Sequence, residues 1–260
     1  MPALAYAAER GIATITIDNP GRHNAMTLEM WQALPALTAQ ADADAAVRAI
    51  VLTGSGERAF CAGADISQFG EARGSEAAVG EYDRAVAAGD AALARAAKPT
   101  VAVVRGVCFG GGLGLAMACD LRFAREGARF RFPAARLGLG YGYEGVRTLV
   151  RQLGHAVAAD ILFSARIVAS DEAERLGLVN RVWPAESFEA EVAAYLAGVA
   201  KNAPLTLMTA KRALAELSRE EAERDRQAVA ALVAACFRSA DYREGQAAFR
   251  ERREPVFRGE

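Results

Sequence analysis

The sequence predicts an α/β fold over residues 1–182, followed by a helical region over residues 183–260. In the first part, short apolar runs typical of strands alternate with amphipathic helices, and this alternation favours parallel strand pairing. In the second part, apolar residues recur only at helical spacing. The chain has 260 residues, of which 52% are hydrophobic. They are sufficient to bury a large core, as one domain or as one domain with a small appendage.

Local patterns predict the individual strands and helices. Short apolar runs predict strands at residues 4–8, 11–18, 49–53 and 100–104. Thr27 is placed to cap a helix over residues 29–41. Pro99 follows a predicted helix over residues 81–97, and its missing N–H suits the start of a strand. Apolar periodicity predicts the C-terminal helices at residues 186–201, 205–217, 219–235 and 242–253.

Charge and composition exclude several classes of protein. The 31 basic residues are balanced by 32 acidic residues, so the chain has no strong field for nucleic acid or for a membrane. Residues 1–9 lack the basic start and apolar core of a signal peptide. No uncharged apolar run approaches the roughly 20 residues of a membrane helix. The four cysteines show no metal-binding spacing, so we expect buried free thiols in a cytoplasmic protein without a metal.

Two glycine-rich segments carry the strongest functional signal. Residues 59–66 and 106–114 each lie at the end of a short apolar run and contain no obvious nucleophile or base. Gly111 and Gly112 are predicted to begin a helix, whose first N–H groups have no partner within the helix. The helix dipole adds positive charge there. Two loops that each supply one N–H form an oxyanion hole, which stabilises negative charge on a carbonyl oxygen.

These segments resemble the two signature loops of the crotonase superfamily, also called the enoyl-CoA hydratase/isomerase family. The resemblance covers nearly the whole chain and is carried, in order, by residues 19–26, 59–66, 106–114, 173–180 and 248–253. It implies a ClpP/crotonase-like α/β fold, which is a spiral of ββα turns with a helical C-terminal part that packs in homotrimers or hexamers. It also implies an acyl-CoA substrate and no cofactor beyond the CoA moiety.

The resemblance assigns roles to individual residues. In the family, two N–H groups hold the thioester oxygen of the acyl-CoA, and by match these belong to Ala64 and Gly111. The CoA contacts expected by match come from Arg22, Ala62, Asp65, Ile66, Gly110, Phe249 and Arg252. Phe249 and Arg252 would reach the CoA of a neighbouring subunit; a solvated helix end is the alternative. Asp65 is expected to shape its loop through hydrogen bonds to the backbone.

The sequence departs from the hydratase pattern of the family. The two positions that carry glutamates in hydratases are Gly114 and Ala134 here, so the base and the acid that add water are both absent from their usual places. We therefore expect decarboxylation, hydrolysis or carbon–carbon cleavage of an acyl-CoA. The alternatives are a hydratase or isomerase with a displaced acid/base, for which Glu144 is the candidate, and a non-catalytic binder of CoA thioesters.

Tyr141 and Glu144 are the candidate catalytic side chains. By resemblance, Tyr141 matches a position that carries a tyrosine in methylmalonyl-CoA decarboxylases and an aspartate in dihydroxynaphthoyl-CoA synthases. A phenol there can orient a carboxylate, or protonate an enolate after carbon dioxide leaves. Packing beside the acyl tail is the other interpretation of Tyr141. The other interpretation of Glu144 is a place in the first turn of a helix, where the dipole favours an acidic residue.

Overall fold

Two sheets form the centre of the protein, seen in a computed structural model that describes residues 2–65 and 76–260. The strands are β1 (Ala3–Glu9), β2 (Ile12–Asp18), β3 (Ala49–Gly54), β4 (Ala59–Cys61), β5 (Thr100–Val104), β6 (Val107–Phe109), β7 (Leu121–Arg125), β8 (Arg129–Arg131), β9 (Val168–Ala169) and β10 (Arg181–Trp183). The larger sheet has the order β1-β2-β3-β5-β7-β10, and the smaller sheet has the order β4-β6-β8-β9.

Helices follow or connect these strands. They are α1 (Leu28–Ala43), α2 (Glu76–Arg95), α3 (Gly111–Ala118), α4 (Ala134–Leu137), α5 (Tyr143–Leu153), α6 (His155–Ser164), α7 (Ser170–Arg175), α8 (Phe188–Lys201), α9 (Pro204–Leu217), α10 (Arg226–Arg238) and α11 (Ala240–Glu251). As predicted, Thr27 caps α1, because its hydroxyl accepts a hydrogen bond from the N–H of Met30 at 3.3 Å. None of the described helices combines the length and apolar character needed to cross a membrane.

The pairing in the larger sheet is mostly parallel, as the alternation of strands and helices predicted. Strands β2, β3, β5, β7 and β10 pair in parallel, and only β1 runs antiparallel, with Ala3 opposite Asp18 and Glu9 opposite Ile12. All residues of β5 and nearly all of β3 are buried. A parallel strand covered on both faces has this uninterrupted apolar character.

The core lies on both faces of the larger sheet. On one face, Trp31 and Leu34 of α1 pack with Ile15 and Ile17 of β2 and with the elements of the smaller sheet. On the other face, Phe188, Val192 and Leu196 of α8 pack against residues of β3, β5 and β7. The first face also carries Met26, Cys61 and Leu113, which belong to the turn, the strand and the helix around the candidate site.

The structure corrects the prediction in two places after residue 180. Arg181–Trp183 forms β10, a strand that pairs with β7, although no strand was expected from residue 182 onward. The helix predicted over 219–235 begins later, at Arg226, because the side chain of Asp225 accepts a hydrogen bond from the N–H of Ala228 at 2.9 Å and caps it there. The division of the chain at residue 182 stays a prediction.

Candidate active site

A single parallel bridge between Met26 and Ala64 positions the first loop of the site. The N–H of Met26 donates to the carbonyl of Gly63 at 2.8 Å, and the N–H of Asp65 donates to the carbonyl of Met26 at 2.9 Å. In a parallel bridge the residue between those two contacts directs its own N–H away from the partner. Among the described residues, the N–H of Ala64 has no hydrogen-bond acceptor.

Asn24 holds the turn that carries Met26. Its side-chain amide donates to the carbonyl of Ala59 at 2.7 Å and to that of Ser55 at 2.9 Å, and its Oδ1 accepts from the N–H of Asn19 at 3.1 Å. The side chain is buried. One residue therefore ties the turn at residues 19–25 to the start of β4, from which the loop with Ala64 follows.

The second loop ends at the amino end of helix α3. Gly110 has φ 54° and ψ −123°, a conformation that favours glycine, and its N–H donates to the carbonyl of Arg131 at 2.9 Å. The next residue, Gly111, is the first residue of α3. Its N–H has no partner within the helix and lies at the positive end of the helix dipole.

Two glycines bring these loops together. A Cβ on Gly112 would overlap the carbonyl oxygen of Cys61 and would lie 2.7 Å from the Cβ of Cys61, so α3 packs directly on β4. Gly63 has φ 106°, and a Cβ there would lie 3.4 Å from the nitrogen of Gly111. A Cβ on Gly111 would lie 3.9 Å from the nitrogen of Ala64 and 3.2 Å from the ring of Trp31, so the amides of Ala64 and Gly111 border one small space beside that ring. Two such donors can stabilise charge that develops on a carbonyl oxygen.

The thiols beside this space are packing groups. Cys61 and Cys108 are fully buried neighbours on β4 and β6. Burial raises the pKa of Cys61 to about 12, and it raises the pKa of Cys108 well above its ordinary value. Since the thiolate is the nucleophilic form of cysteine, neither residue is poised for covalent chemistry. This agrees with their prediction as buried free thiols.

Asp90 is a carboxyl group at this site that sequence reasoning missed. It lies on α2, and its Oδ2 is 3.9 Å from the position that a Cβ on Gly114 would occupy. Its Oδ1 is buried and has no hydrogen-bond partner among the described residues. Burial raises the pKa of Asp90 to about 7. A sequence signal existed, because Asp90 stands four residues after Val86 and eight after Tyr82, at the spacing of the buried face of the helix.

Tyr141 lies near Asp90 and is partly buried. Its ring stands edge-on to Phe132, with ring centroids 5.1 Å apart, and it leaves little room for a side chain at Gly145, where a Cβ would lie 3.3 Å from the ring. Burial raises the pKa of Tyr141, and the neighbouring Asp90 carboxylate raises it further. The phenol therefore responds to the charge of a carboxyl group that is 51 positions away in the sequence.

Glu144 lies outside this group of residues. It is the second residue of α5, and its side chain is 71% exposed and forms an ion pair with Arg147 at 2.6 Å. That arrangement matches its alternative interpretation, an acidic residue in the first turn of a helix. Ala134, which the resemblance matched to a glutamate position of hydratases, begins α4.

The residues expected to bind CoA fall into two regions. Arg22 lies exposed in a 3-10 turn, and the neighbouring His23 carbonyl accepts from the N–H of Ala62 at 3.0 Å, so the turn lies beside the first loop. Asp65 is buried next to Ala64. Ile66 lies outside the described residues.

Phe249 and Arg252 lie at the far end of the chain. Both are at the C-terminal end of α11, and the side chain of Phe249 is 85% exposed. Phe249 lines a groove of about 440 Å³ together with Leu205, Tyr242 and Phe257. The structure does not join these two residues to the space between Ala64 and Gly111 within one chain, so their contact with the CoA of a neighbouring subunit stays a prediction.

Known proteins similar to this chain share its length and its fold. A family model described as enoyl-CoA hydratase/isomerase matches residues 7–260. Crotonyl-CoA hydratase of Syntrophomonas wolfei is 33% identical over 255 residues, which cover 96% of this chain and 95% of that protein. Short-chain-enoyl-CoA hydratase of Clostridium acetobutylicum is 31% identical over 246 residues, covering 94% and 93%. The crystal structure of an enoyl-CoA hydratase/carnithine racemase from Magnetospirillum magneticum has a TM-score of 0.91 at 34% identity and covers 100% of this chain and 97% of that one.

Proposed function

Because this chain belongs to the enoyl-CoA hydratase/isomerase family, we propose that it transforms an acyl-CoA by stabilising the thioester oxygen with the N–H groups of Ala64 and Gly111. One observation carries this proposal: both amides border the same space, and neither donates a hydrogen bond to another residue that the structure describes. Backbone donors fixed in this way need no reorganisation when charge develops, and each is worth about 10²–10³ in rate. The thioester would react through an enolate or a tetrahedral oxyanion.

The reaction that we propose is decarboxylation, hydrolysis or carbon–carbon cleavage of the acyl group. Gly114 and Ala134 carry no carboxyl group that could activate and protonate water across a double bond. Decarboxylation needs no base, because the departing carbon dioxide leaves its electron pair on the enolate. The charge of Asp90 raises the pKa of Tyr141, and the phenol would orient the acyl group or its carboxylate.

Hydration is the second candidate reaction. Crotonyl-CoA hydratase and short-chain-enoyl-CoA hydratase are the names of two relatives that match nearly the whole chain. The carboxyl group of Asp90 beside Gly114 also favours it, because an acid/base there would stand close to the usual place. A hydratase of this kind would depend on Asp90 rather than on the exposed Glu144.

We assign CoA binding to the turn and the loop beside the oxyanion space. Arg22 is exposed there and offers a cation to the phosphates, and the backbone around Ala62 and Gly110 offers polar groups. Phe249 and Arg252 would cap the CoA of a neighbouring subunit, which requires a trimer or a hexamer. The exposed apolar side chains of the C-terminal helices are available for such an assembly, and they include Leu214, Leu217, Val233 and Phe237.

A panel of thioesters tests the reaction. The purified protein is incubated with crotonyl-CoA, methylmalonyl-CoA, a cyclic β-keto acyl-CoA and butyryl-CoA, and the products are identified by mass spectrometry. Loss of carbon dioxide or release of free CoA would support the first reaction class. Addition of water to crotonyl-CoA would support the second. Binding of these thioesters without turnover of any would contradict both and would leave a binding protein.

A matched pair of variants tests the oxyanion donors. Gly111→Pro removes one N–H at the first position of a helix, where proline is tolerated. Gly111→Ala adds the same Cβ, which lies 3.2 Å from the ring of Trp31, but keeps the N–H. We expect turnover of the proline variant to fall about 100-fold or more below that of the alanine variant. Equal turnover in two folded variants would refute the role of this amide.

A further inference from the structure

We infer that Asp90 is the catalytic acid/base of this site, exchanging a proton with the α-carbon of the bound thioester. This inference rests on the proposed function, which supplies the thioester. Helix α2 thus places a carboxyl group beside Gly114, a residue that has no side chain of its own.

The position of Asp90 follows from the geometry of helix α3. Gly114 lies three residues after Gly111, so the two face similar directions and are about 4.5 Å apart along the axis. A thioester whose oxygen is held at the N–H of Gly111 has its α-carbon one bond from the carbonyl carbon. The Oδ2 of Asp90 is 3.9 Å from the place of a Cβ on Gly114, and we place that α-carbon between this oxygen and the N–H of Gly111.

The hydrogen bonding of Asp90 differs from that of a structural carboxyl group. Buried carboxyl groups that stabilise a fold accept hydrogen bonds, as Asp241 does here from the N–H groups of Arg258 at 2.7 Å and Gly259 at 2.8 Å. The buried Oδ1 of Asp90 accepts none among the described residues. A buried polar group without a partner destabilises the fold. Its presence beside the oxyanion donors is explained if its partner is a substrate.

The surroundings of Asp90 keep its proton available. The charge of Asp90 acts on two titratable groups, Tyr141 from the segment before α5 and Cys119 at the end of α3, and it raises the pKa of each. Both are neutral in their ordinary form at neutral pH, and burial raises the pKa of each. From α1, Trp31 and Leu34 face the adjacent Gly89. No cation among these groups holds Asp90 ionised, so the acid and its carboxylate coexist near pH 7 and the group can both give and take a proton.

The proton balance is complete in either direction. In decarboxylation, the bond between the α-carbon and the carboxylate breaks, carbon dioxide leaves, and the electron pair enters the enolate. The acid form of Asp90 then forms the new C–H bond and regains a proton from water. With a thioester that has no leaving group, the carboxylate of Asp90 removes an α-proton, the enolate is held by Ala64 and Gly111, and the proton returns after exchange with solvent.

Exchange of the α-protons of butyryl-CoA in D2O tests this inference without any net reaction. Mass spectrometry follows deuterium uptake by the wild type, by Asp90→Asn and by Asp171→Asn. The last is a matched carboxyl-to-amide control on a side chain that is 74% exposed, far along the chain on α7. We expect Asp90→Asn to lose at least about 100-fold in exchange rate. We expect the control to match the wild type, and all three proteins to bind butyryl-CoA within a few-fold of one another.

The outcomes separate this inference from the proposed function. Exchange in Asp90→Asn within a few-fold of the wild-type rate overturns the role of Asp90, and so does the absence of exchange in a wild type that binds butyryl-CoA. In both cases, turnover on the thioester panel still supports the proposed function. Wild-type exchange that rises with pH through a midpoint near pH 7, with this rise missing in Asp90→Asn, supports the inference. A wild type that neither binds nor converts any thioester overturns both.

Discussion

Gly112 lies so close to Cys61 that a Cβ on the glycine would overlap the carbonyl oxygen of the cysteine. This contact sets the distance between α3 and β4, and so it also sets the spacing of the two amides at residues 64 and 111. The overlap is with backbone rather than with a flexible side chain. The backbone would have to move to accept even one methyl group.

We therefore predict that Gly112→Ala destabilises the protein by about 1–3 kcal/mol or more, as overpacking of a tight core does. Turnover should fall as well, because the two donors separate. Gly198→Ala is the matched control: Gly198 is exposed inside α8, and no atom lies near its Cβ position. It should stabilise the protein by about 0.5–1 kcal/mol. Urea unfolding of both variants measures the two effects, and a stable Gly112→Ala would contradict this account of the loop spacing.

Tyr141→Phe should lower turnover about tenfold or more and leave the affinity for CoA thioesters nearly unchanged. The substitution keeps the edge-on contact with Phe132 and removes only the hydroxyl. Glu144→Gln is the companion variant and should turn over as the wild type does, since Glu144 is exposed and bound to Arg147. Steady-state kinetics with the substrate found in the panel compare them. If Tyr141→Phe turns over as the wild type does, Tyr141 has a packing role and no catalytic role.

The stability of the protein should depend on pH through Asp90. Burial raises the pKa of Asp90 from 3.8 in the reference state to about 7, so the folded state binds more protons than the unfolded state between these values. The free energy of unfolding contributed by this group therefore falls as pH rises from 4 to 7, by about 1.4 kcal/mol per pH unit and up to about 4 kcal/mol in total. Below about pH 4, Asp90 does not lower the free energy of unfolding, and above about pH 7 it lowers that free energy by a constant amount.

Denaturant unfolding of the wild type and of Asp90→Asn at pH 4.5, 6 and 7.5 measures this effect. Asparagine does not ionise, so the stability of Asp90→Asn relative to the wild type should grow across the series. Other titrating groups, such as the ion-paired Glu244, are common to both proteins and cancel in the difference. A difference that is constant with pH would show that Asp90 ionises normally in the folded protein.

Much of the fold could be predicted because it rests on local pattern and on a recognisable chain order. The crotonase-type fold is confirmed by the crystal structure from Magnetospirillum magneticum, and strand Thr100–Val104 lies where its apolar run placed it. Strand β10 was missed because it has three residues, too few to show a period, and its pairing with β7 is a long-range contact.

The candidate site was only partly predictable, for a physical reason. The two loops can be recognised in the sequence by their glycines, which allow the backbone of one loop to approach that of the other closely. Asp90 reaches the site through the packing of α2 on α3, and its sequence neighbours give only a weak sign of that contact. Glu144 shows that closeness in the sequence does not place a residue in the site. It is three residues after Tyr141, but it lies in the first turn of α5, and its side chain contacts Arg147 and solvent.

Moving the carboxyl group across the site gives a last prediction. If the place of the carboxyl group matters and not the helix that supplies it, Asp90→Ala should lose α-proton exchange and Asp90→Ala/Gly114→Glu should regain it. Among the described residues, the atom closest to a Cβ on Gly114 is the Oδ2 of Asp90, which the first substitution removes. Glutamate also favours a helix more than glycine does. We expect the double variant to exchange at about a tenth or more of the wild-type rate, because its positioned carboxyl group can again transfer a proton. A folded double variant that binds butyryl-CoA but exchanges no faster than Asp90→Ala would show that proton transfer depends on something other than a carboxyl group at this place.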